Sequence, residues 1–385
     1  MSMIMRRPSI AIVGAGPAGL TAARILQQHA WDVSVFDADA SATARDQGGT
    51  LDLHPDTGQL ALQRAGLLPA FMARARHDDQ GNRLLDHRDA AILFDHVPAP
   101  DEPQRPEIDR GVLRTLFLDA LAPDTVQWNH RLLDVTRAPD GRLETHFAGR
   151  ASRSFDLVIG ADGAWSRVRR ALTPAMPAYS GVTFVELQLD DVDHAHPAIA
   201  ALVGHGTMFV LHDGKGLIAQ RNGNARIRVY AGLRIDARDD FAADVQTRRG
   251  KAHLLRHFAG WAAPLLALLE DADAVTAVRP IVALAPGLRW PAQRGLTLVG
   301  DAAHVMPPVG VGANLAMLDA ADLALVLVDA GAGWEQAVAD YEDAMLTRAA
   351  AFASEAQVGF AEMFGPDGAG TFLAHMQVSA APARP

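Results

Sequence analysis

The apolar positions of this chain follow two patterns. Ile10-Ala11-Ile12-Val13, Leu157-Val158-Ile159 and Leu296-Thr297-Leu298-Val299 are short runs without alternation, each closed by a glycine at Gly14, Gly160 or Gly300. Such runs read as buried strands, the first of them parallel. From residue 182 to 233 the period becomes two. Val182-Thr183-Phe184-Val185-Glu186-Leu187-Gln188-Leu189 and Ile227-Arg228-Val229-Tyr230-Ala231-Gly232-Leu233 alternate, while Met208-Phe209-Val210-Leu211 and Leu217-Ile218-Ala219 flank an Asp213-Gly214 hairpin turn. This predicts an antiparallel sheet with one buried face, inserted into an α/β unit, with residues 71–106 lying against it. A helical pattern then runs from Trp334 to about Met363, broken by Pro366, Gly368 and Gly370, and residues 380–385 read as a frayed tail. No internal repeat is visible.

The first strand leads into Gly14-Ala15-Gly16-Pro17-Ala18-Gly19 and then a helix with one apolar face, Leu20, Ala23, Ile25 and Leu26. With G-x-G-x-x-G spacing, the first glycine permits a tight turn, the second a close approach of pyrophosphate, the third close helix–strand packing. Pro17 suits the first helical position, and the unpaired N–H groups of a helix N-terminus attract phosphate. A second strand, Val33-Ser34-Val35-Phe36, ends in Asp37, placed to accept from ribose hydroxyls. Gly14, Gly16, Pro17, Ala18, Gly19 and Asp37 are therefore assigned to a dinucleotide. The last run ends in Gly300-Asp301, and an Ala- and Leu-rich helix starts near Gly312 and runs to about residue 328. Small residues ahead of a helix let a ligand lie against the backbone, and the helix dipole favours negative charge there. Pro308, Gly310, Gly312, Ala313 and Asn314 are assigned to the cofactor on this ground, and Leu133 joins them.

Three motifs in order resemble the FAD-dependent aromatic hydroxylases, the class A flavoprotein monooxygenases: the glycine motif, Ala161-Asp162-Gly163-x-x-Ser166-x-Val168-Arg169, and Gly300-Asp301-Ala302-Ala303-His304-x-x-Pro307-Pro308. A narrower resemblance, to the tetracycline-inactivating members, lies in Gly48-Gly49-Thr50-Leu51-Asp52-Leu53-His54, Ala65-Gly66-Leu67-Leu68 and Pro106-Glu107-Ile108-Asp109-Arg110. The expected fold is α/β. A Rossmann-type FAD-binding domain (1–70, 107–178 and 278–332) carries an inserted antiparallel-sheet substrate domain (71–106 and 179–277) and a long C-terminal helix and tail (333–385).

The resemblance implies non-covalent FAD, NADPH or NADH as reductant, and O2. A nicotinamide hydride reduces FAD, oxygen adds at flavin C4a, and the resulting hydroperoxide hydroxylates an aromatic or polyketide-like substrate, tetracycline among the candidates. The cofactor carries the chemistry, so no catalytic side chain is expected. By resemblance Asp301 bonds a ribityl or ribose hydroxyl, Arg110 reaches the diphosphate, Asp52 contacts FAD, and Arg45 docks the nicotinamide cofactor's phosphates. In the tetracycline-inactivating enzymes a glutamine, an arginine and a histidine on the inserted sheet hold the drug. Alignment on Gly181 puts Glu186 at the glutamine position, and alignment on Gly232 puts Tyr230 at the histidine position. The arginine position falls near Thr207 or Met208. None of the three partners is retained. Glu186, Thr207, Met208, Tyr230, Gly232 and Pro308 form the expected substrate site, and Glu186 is expected to make it acidic, favouring an ammonium. The loop Pro307-Pro308-Val309-Gly310-Val311-Gly312 is one residue shorter than is usual in the family.

Composition narrows the field. The 385 residues contain no cysteine, which removes disulfides, zinc–thiolate sites, flavin–dithiol reductases and flavin attachment through cysteine. A formal charge of −10 argues against nucleic acid. No apolar run approaches the ~20 residues of a membrane helix, and no signal peptide is read at the start. The expectation is a cytoplasmic monomer without metal. An FAD dehydrogenase or reductase acting without oxygen is the second enzyme reading, and a non-catalytic flavin-fold escort protein the third.

Overall fold

The computed structural model describes residues 7–236, 241, 245 and 250–379; the expected frayed tail, 380–385, lies outside these. Five parallel strands form the first sheet in the order Leu296–Leu298, Leu157–Gly160, Ile10–Val13, Val33–Phe36, Val126–Gln127. The unalternating runs are its centre. Every residue of Ile10–Val13 and Leu157–Gly160 is buried, because helices cover the sheet. The helices Pro17–Gln28 and Gly312–Ala330 pack on each other, so the first and last motifs share one core. A three-stranded antiparallel sheet, Leu132–Arg137, Leu143–Phe147 and Arg153–Phe155, makes the crossover between strands.

The period-2 segments build a seven-stranded sheet in the order Ala274–Ala283, Ala178–Leu189, Arg226–Arg234, Lys215–Asn222, Gly206–His212, Gly81–Leu85, Ile92–His96. Part of segment 71–106 thus joins this sheet, through Gly81–Leu85 paired parallel to Gly206–His212. The strand Ala274–Ala283 runs across residue 278, where the sequence sets a domain boundary.

Alternation divides the sheet's side chains between two faces. One face carries Val185, Leu187, Met208, Val210, Ile227 and Val229 into a core shared with the helices Pro197–Val203, Gly250–His257 and Ala263–Glu270. The other, with Phe184, Phe209, Ile218 and Tyr230, meets Val309 and the aromatic rings Phe360 and Phe364. The helix Trp334–Met363 packs along Gly312–Ala330, and Gly368–Ser379 follows it onto the strand Gly206–His212. Among the described residues no helix is long and apolar enough to cross a membrane.

Candidate active site

The two glycine motifs, nearly 300 residues apart, converge. A Cβ added at Gly300 would lie 2.7 Å from Ala316 Cβ and 3.4 Å from Ala18 Cβ, so the distal motif rests on both helix N-termini. Gly14 adopts φ +110°, and a Cβ there would meet Ala161 O at 2.2 Å; one at Gly19 would meet Gly14 O at 2.0 Å. These two glycines serve the packing of turn, strand and helix. Gly16 differs, because a Cβ there would meet nothing within 4 Å. Gly310 and Gly312 are open in the same way. Neither helix start, at Pro17 or Gly312, has a side-chain cap, which leaves first-turn N–H groups to a ligand.

Asp37 accepts from Ala15 N at 2.7 Å and Asp39 N at 2.8 Å, fixing the glycine turn to the second strand end. Arg114, buried in the helix Arg110–Ala120, donates to Ala15 O, Ala42 O and Asp39, at 3.1, 3.2 and 3.2 Å. It braces the turn. Arg45 is exposed and pairs with Asp39 at 3.0 Å. Arg110 is exposed, and its aliphatic stem lies against Gly48. Leu133 is half-exposed at a bulge in the crossover sheet.

Two buried side chains stitch the motifs: Arg169, to which the sequence gives no role, and Asn314, which it assigns to the cofactor. Arg169, fully buried, donates to Ala302 O at 2.8 Å and Ala164 O at 2.6 Å, tying the Asp162-Gly163 segment to the short helix Asp301–His304. Asp162 itself accepts from Ser166 Oγ at 2.5 Å and Arg167 N at 2.6 Å, so its carboxylate shapes the turn. Asn314 is the second stitch. Its side chain accepts from His54 N at 2.9 Å and Gly58 N at 3.2 Å, and donates to Asp52 O at 2.8 Å and Gly310 O at 3.3 Å. That uses its amide fully, leaving only its backbone N–H for a cofactor. Asp301 stands exposed at the start of its helix, its carboxylate without a hydrogen bond among the described residues. Pro308 is exposed nearby. Asp52 pairs with His54 at 2.9 Å.

His304 points inward, with Nε2 2.5 Å from Asp319, which Arg348 also pairs at 2.7 Å. Burial alone would push the imidazole's pKa down, but the Asp319 charge and hydrogen bond outweigh it and hold it above its usual value. The buried ring is thus engaged with Asp319.

On the sheet, Glu186, Thr207 and Tyr230 occupy the face opposite the helix-backed core. Met208 does not. It follows Thr207 in the strand, so alternation turns it into the helix-backed core, fully buried. Gly232 is closed to a substrate too, since a Cβ there would meet the Phe364 ring at 2.6 Å. The expected acidity of Glu186 is also corrected. Its carboxylate bonds Arg228 Nη1 at 3.4 Å and Arg279 Nε, so its charge is compensated twice. Arg228 further pairs Asp46, on the loop leading to Gly48-Gly49. That loop presses on the sheet: a Cβ at Gly49 would lie 2.3 Å from the Tyr230 hydroxyl.

A Rossmann-type sheet, uncapped helix starts beside open glycines and an Asp301 carboxylate without a hydrogen bond among the described residues fit a dinucleotide-binding protein. Residues 7–356 match the family model described as the FAD binding domain. The chain belongs to this family, the FAD-dependent class A flavin monooxygenases, and is an oxidoreductase. It is 33% identical to Monooxygenase penA of Penicillium thymicola, over 93% of this chain and 91% of that protein. Klebsiella pneumoniae HpxO complexed with FAD and uric acid superposes with a TM-score of 0.79 at 24% identity, over 96% of this chain and 92% of that one. Tetracycline destructase Tet(51) superposes at 0.70 and 18% identity, over 97% and 94%.

The open glycines and free N–H groups fit FAD. Asp301→Ala is expected to leave a folded protein whose FAD affinity falls by about 1.5–3 kcal/mol, the worth of a buried hydrogen bond to a charged acceptor. A flavin titration giving unchanged affinity removes Asp301 from the site.

Proposed function

We propose that this monooxygenase uses NAD(P)H and O2 to hydroxylate an aromatic or polyketide-like substrate held between the seven-stranded sheet and the Pro307-Pro308 loop. One observation carries the reading: an apolar sheet face set against a loop of the cofactor motifs, with Val309 of that loop packed against the same buried cluster, Phe184, Phe360 and Phe364, as Tyr230 and Ile218 of the sheet. Bound FAD would supply the redox chemistry, hydride acceptance and oxygen activation.

The chain's own residues position and exclude. Gly16, Pro17, Ala18 and the helix N–H groups behind them hold the pyrophosphate. Asp301 and Asp37 accept from sugar hydroxyls, and Arg110 takes up the diphosphate. Pro307-Pro308 stiffens the cavity wall. The rings of Phe184, Phe360 and Phe364 back that cavity and keep water from the reacting centre. Residues 1–70, 107–178 and 278–332 act as the FAD-binding domain, and 71–106 with 179–277 as the substrate domain, whose edge strand Ala274–Ala283 carries its boundary beyond residue 278. A tetracycline is one candidate of the polyketide class, supported by the motifs around Gly48-Gly49 and Pro106-Glu107. The doubly paired Glu186 weighs against its binding as in the relatives.

Substrate-dependent oxygen uptake on adding NADPH, with a product heavier by one oxygen atom, is the expected result. NADPH consumption with no oxygen in the product moves the reading to a reductase. Arg45 is exposed and, among the described residues, is held by Asp39 and its own loop. Arg45→Ala is expected to raise the NADPH concentration needed for half-maximal flavin reduction about 10-fold, the worth of one exposed charge-assisted contact, at unchanged FAD content. An unaltered reduction rate at low NADPH makes it a surface charge.

A further inference from the structure

The polar end of the substrate cavity is built for the charge opposite to the one Glu186 suggests. Glu186 is 5% exposed and turns both oxygens onto guanidinium groups, Oε2 to Arg228 and Oε1 to Arg279. Asp46, the other nearby carboxylate, is taken by Arg228. What remains free is a set of donors. The Arg279 side chain is 55% exposed, and its two terminal nitrogens make no hydrogen bond among the described residues. The Tyr230 hydroxyl also has no hydrogen-bond partner among them. It lies directly across the strand pair from Glu186, in the field of Arg110, Arg228 and Arg279. Burial pushes its pKa up to about 12, so it stays a donor. Beside this end lie Phe184, Ile218, Ile281 and Val309, an apolar wall.

We propose that this end is an anion subsite: Arg279, held at Nε by Glu186 and assisted by the Tyr230 hydroxyl, receives a carboxylate or acidic enol oxygen on the edge of a planar aromatic substrate. This rests on the reading of the cavity as the hydroxylase's substrate site. A guanidinium presents two parallel N–H groups to such an edge, and charge-assisted bonds of this kind are the strong ones. Glu186 is a positioning residue. By fixing Nε it orients the planar group, and by pairing Arg228 as well it holds the buried Arg228 and the exposed Arg279 side by side. A ligand that instead presents an ammonium meets Arg228 and Arg279 with Glu186 and Asp46 already engaged, and like charges are rejected.

The test uses purified FAD-loaded protein and matched acid–amide pairs of one, two and three rings: benzoate and benzamide, 2-naphthoate and 2-naphthamide, anthracene-2-carboxylate and its carboxamide. Binding is read from the flavin absorbance. At least one carboxylate is expected to bind roughly 10-fold or more tightly than its amide, the worth of a hydrogen bond to a charged group. Arg279→Gln should abolish that preference at unchanged FAD content and melting temperature, and Arg279→Lys should restore part of it. Equal affinity for acid and amide, a preference that survives Arg279→Gln, or no response to any pair overturns the anion subsite. A protein that purifies without flavin and takes none up overturns instead the functional reading beneath it.

Discussion

Gly16→Ala protein is expected to purify folded and colourless. A methyl group at this position meets no protein atom within 4 Å, so the apoprotein should melt where wild type does. The space it fills is the space a pyrophosphate needs above the helix start, and overpacking of a close contact costs about 1–3 kcal/mol. Gly14→Ala should behave differently. Its φ of +110° already costs a non-glycine residue about 1–3 kcal/mol, and the new Cβ would sit 2.2 Å from Ala161 O in the adjoining strand's loop. Neither backbone can move without parting the two central strands, so this variant should be largely insoluble. Thermal melts of apoprotein beside flavin titrations check the pair. Gly16→Ala protein with wild-type FAD affinity would dismiss the phosphate site.

The second large effect is at Glu107. It is 6% exposed, accepts from Thr50 Oγ1 at 2.5 Å, and stands directly across a two-stranded ribbon from Asp52. Burial first, and the Asp52 charge second, raise its pKa from 4.5 to about 8. The folded protein therefore holds this proton more tightly than the unfolded chain. The stability it contributes is fully present below about pH 4.5 and is lost as pH rises through 8. The loss amounts to roughly 3–5 kcal/mol above that, at 1.36 kcal/mol per unit. Glu107→Gln copies the neutral acid. Urea melts should show wild type weakening between pH 6 and 9 while the variant loses much less. Parallel pH profiles would mean that Glu107 is already ionised at pH 6.

What could be read ahead of the structure was local. Gly14, Gly16 and Gly19 carry their spacing within one turn and helix, and Asp301 its place at a strand end. The face on which a strand residue sits is a register question. Thr207 and Met208 are neighbours, and only the pairing of the strand shows that the first lies on the face opposite the helix-backed core. The partners of Glu186 lie 42 and 93 residues away, on two other strands, so nothing near it in sequence reveals that its charge is matched. Arg169 stands beside Arg167 and Arg170 in the sequence, and burial of a guanidinium among carbonyls has no local signature. Val126–Gln127 is too short a strand to show a pattern.

The parallel sheet has a consequence for how the protein is made. Its strand Leu157–Gly160 is flanked on one side by Ile10–Val13 and on the other by Leu296–Leu298, which is synthesised last of the three. Roughly 140 residues separate the two, which at 5–20 residues per second takes on the order of 10–30 s of translation. Throughout that interval the nascent chain carries an apolar strand with one row of N–H and C=O groups unpaired, the kind of edge that recruits other chains. Yield in a cell should therefore depend on how fast ribosomes cross residues 160–298 and on which chaperones meet the chain there.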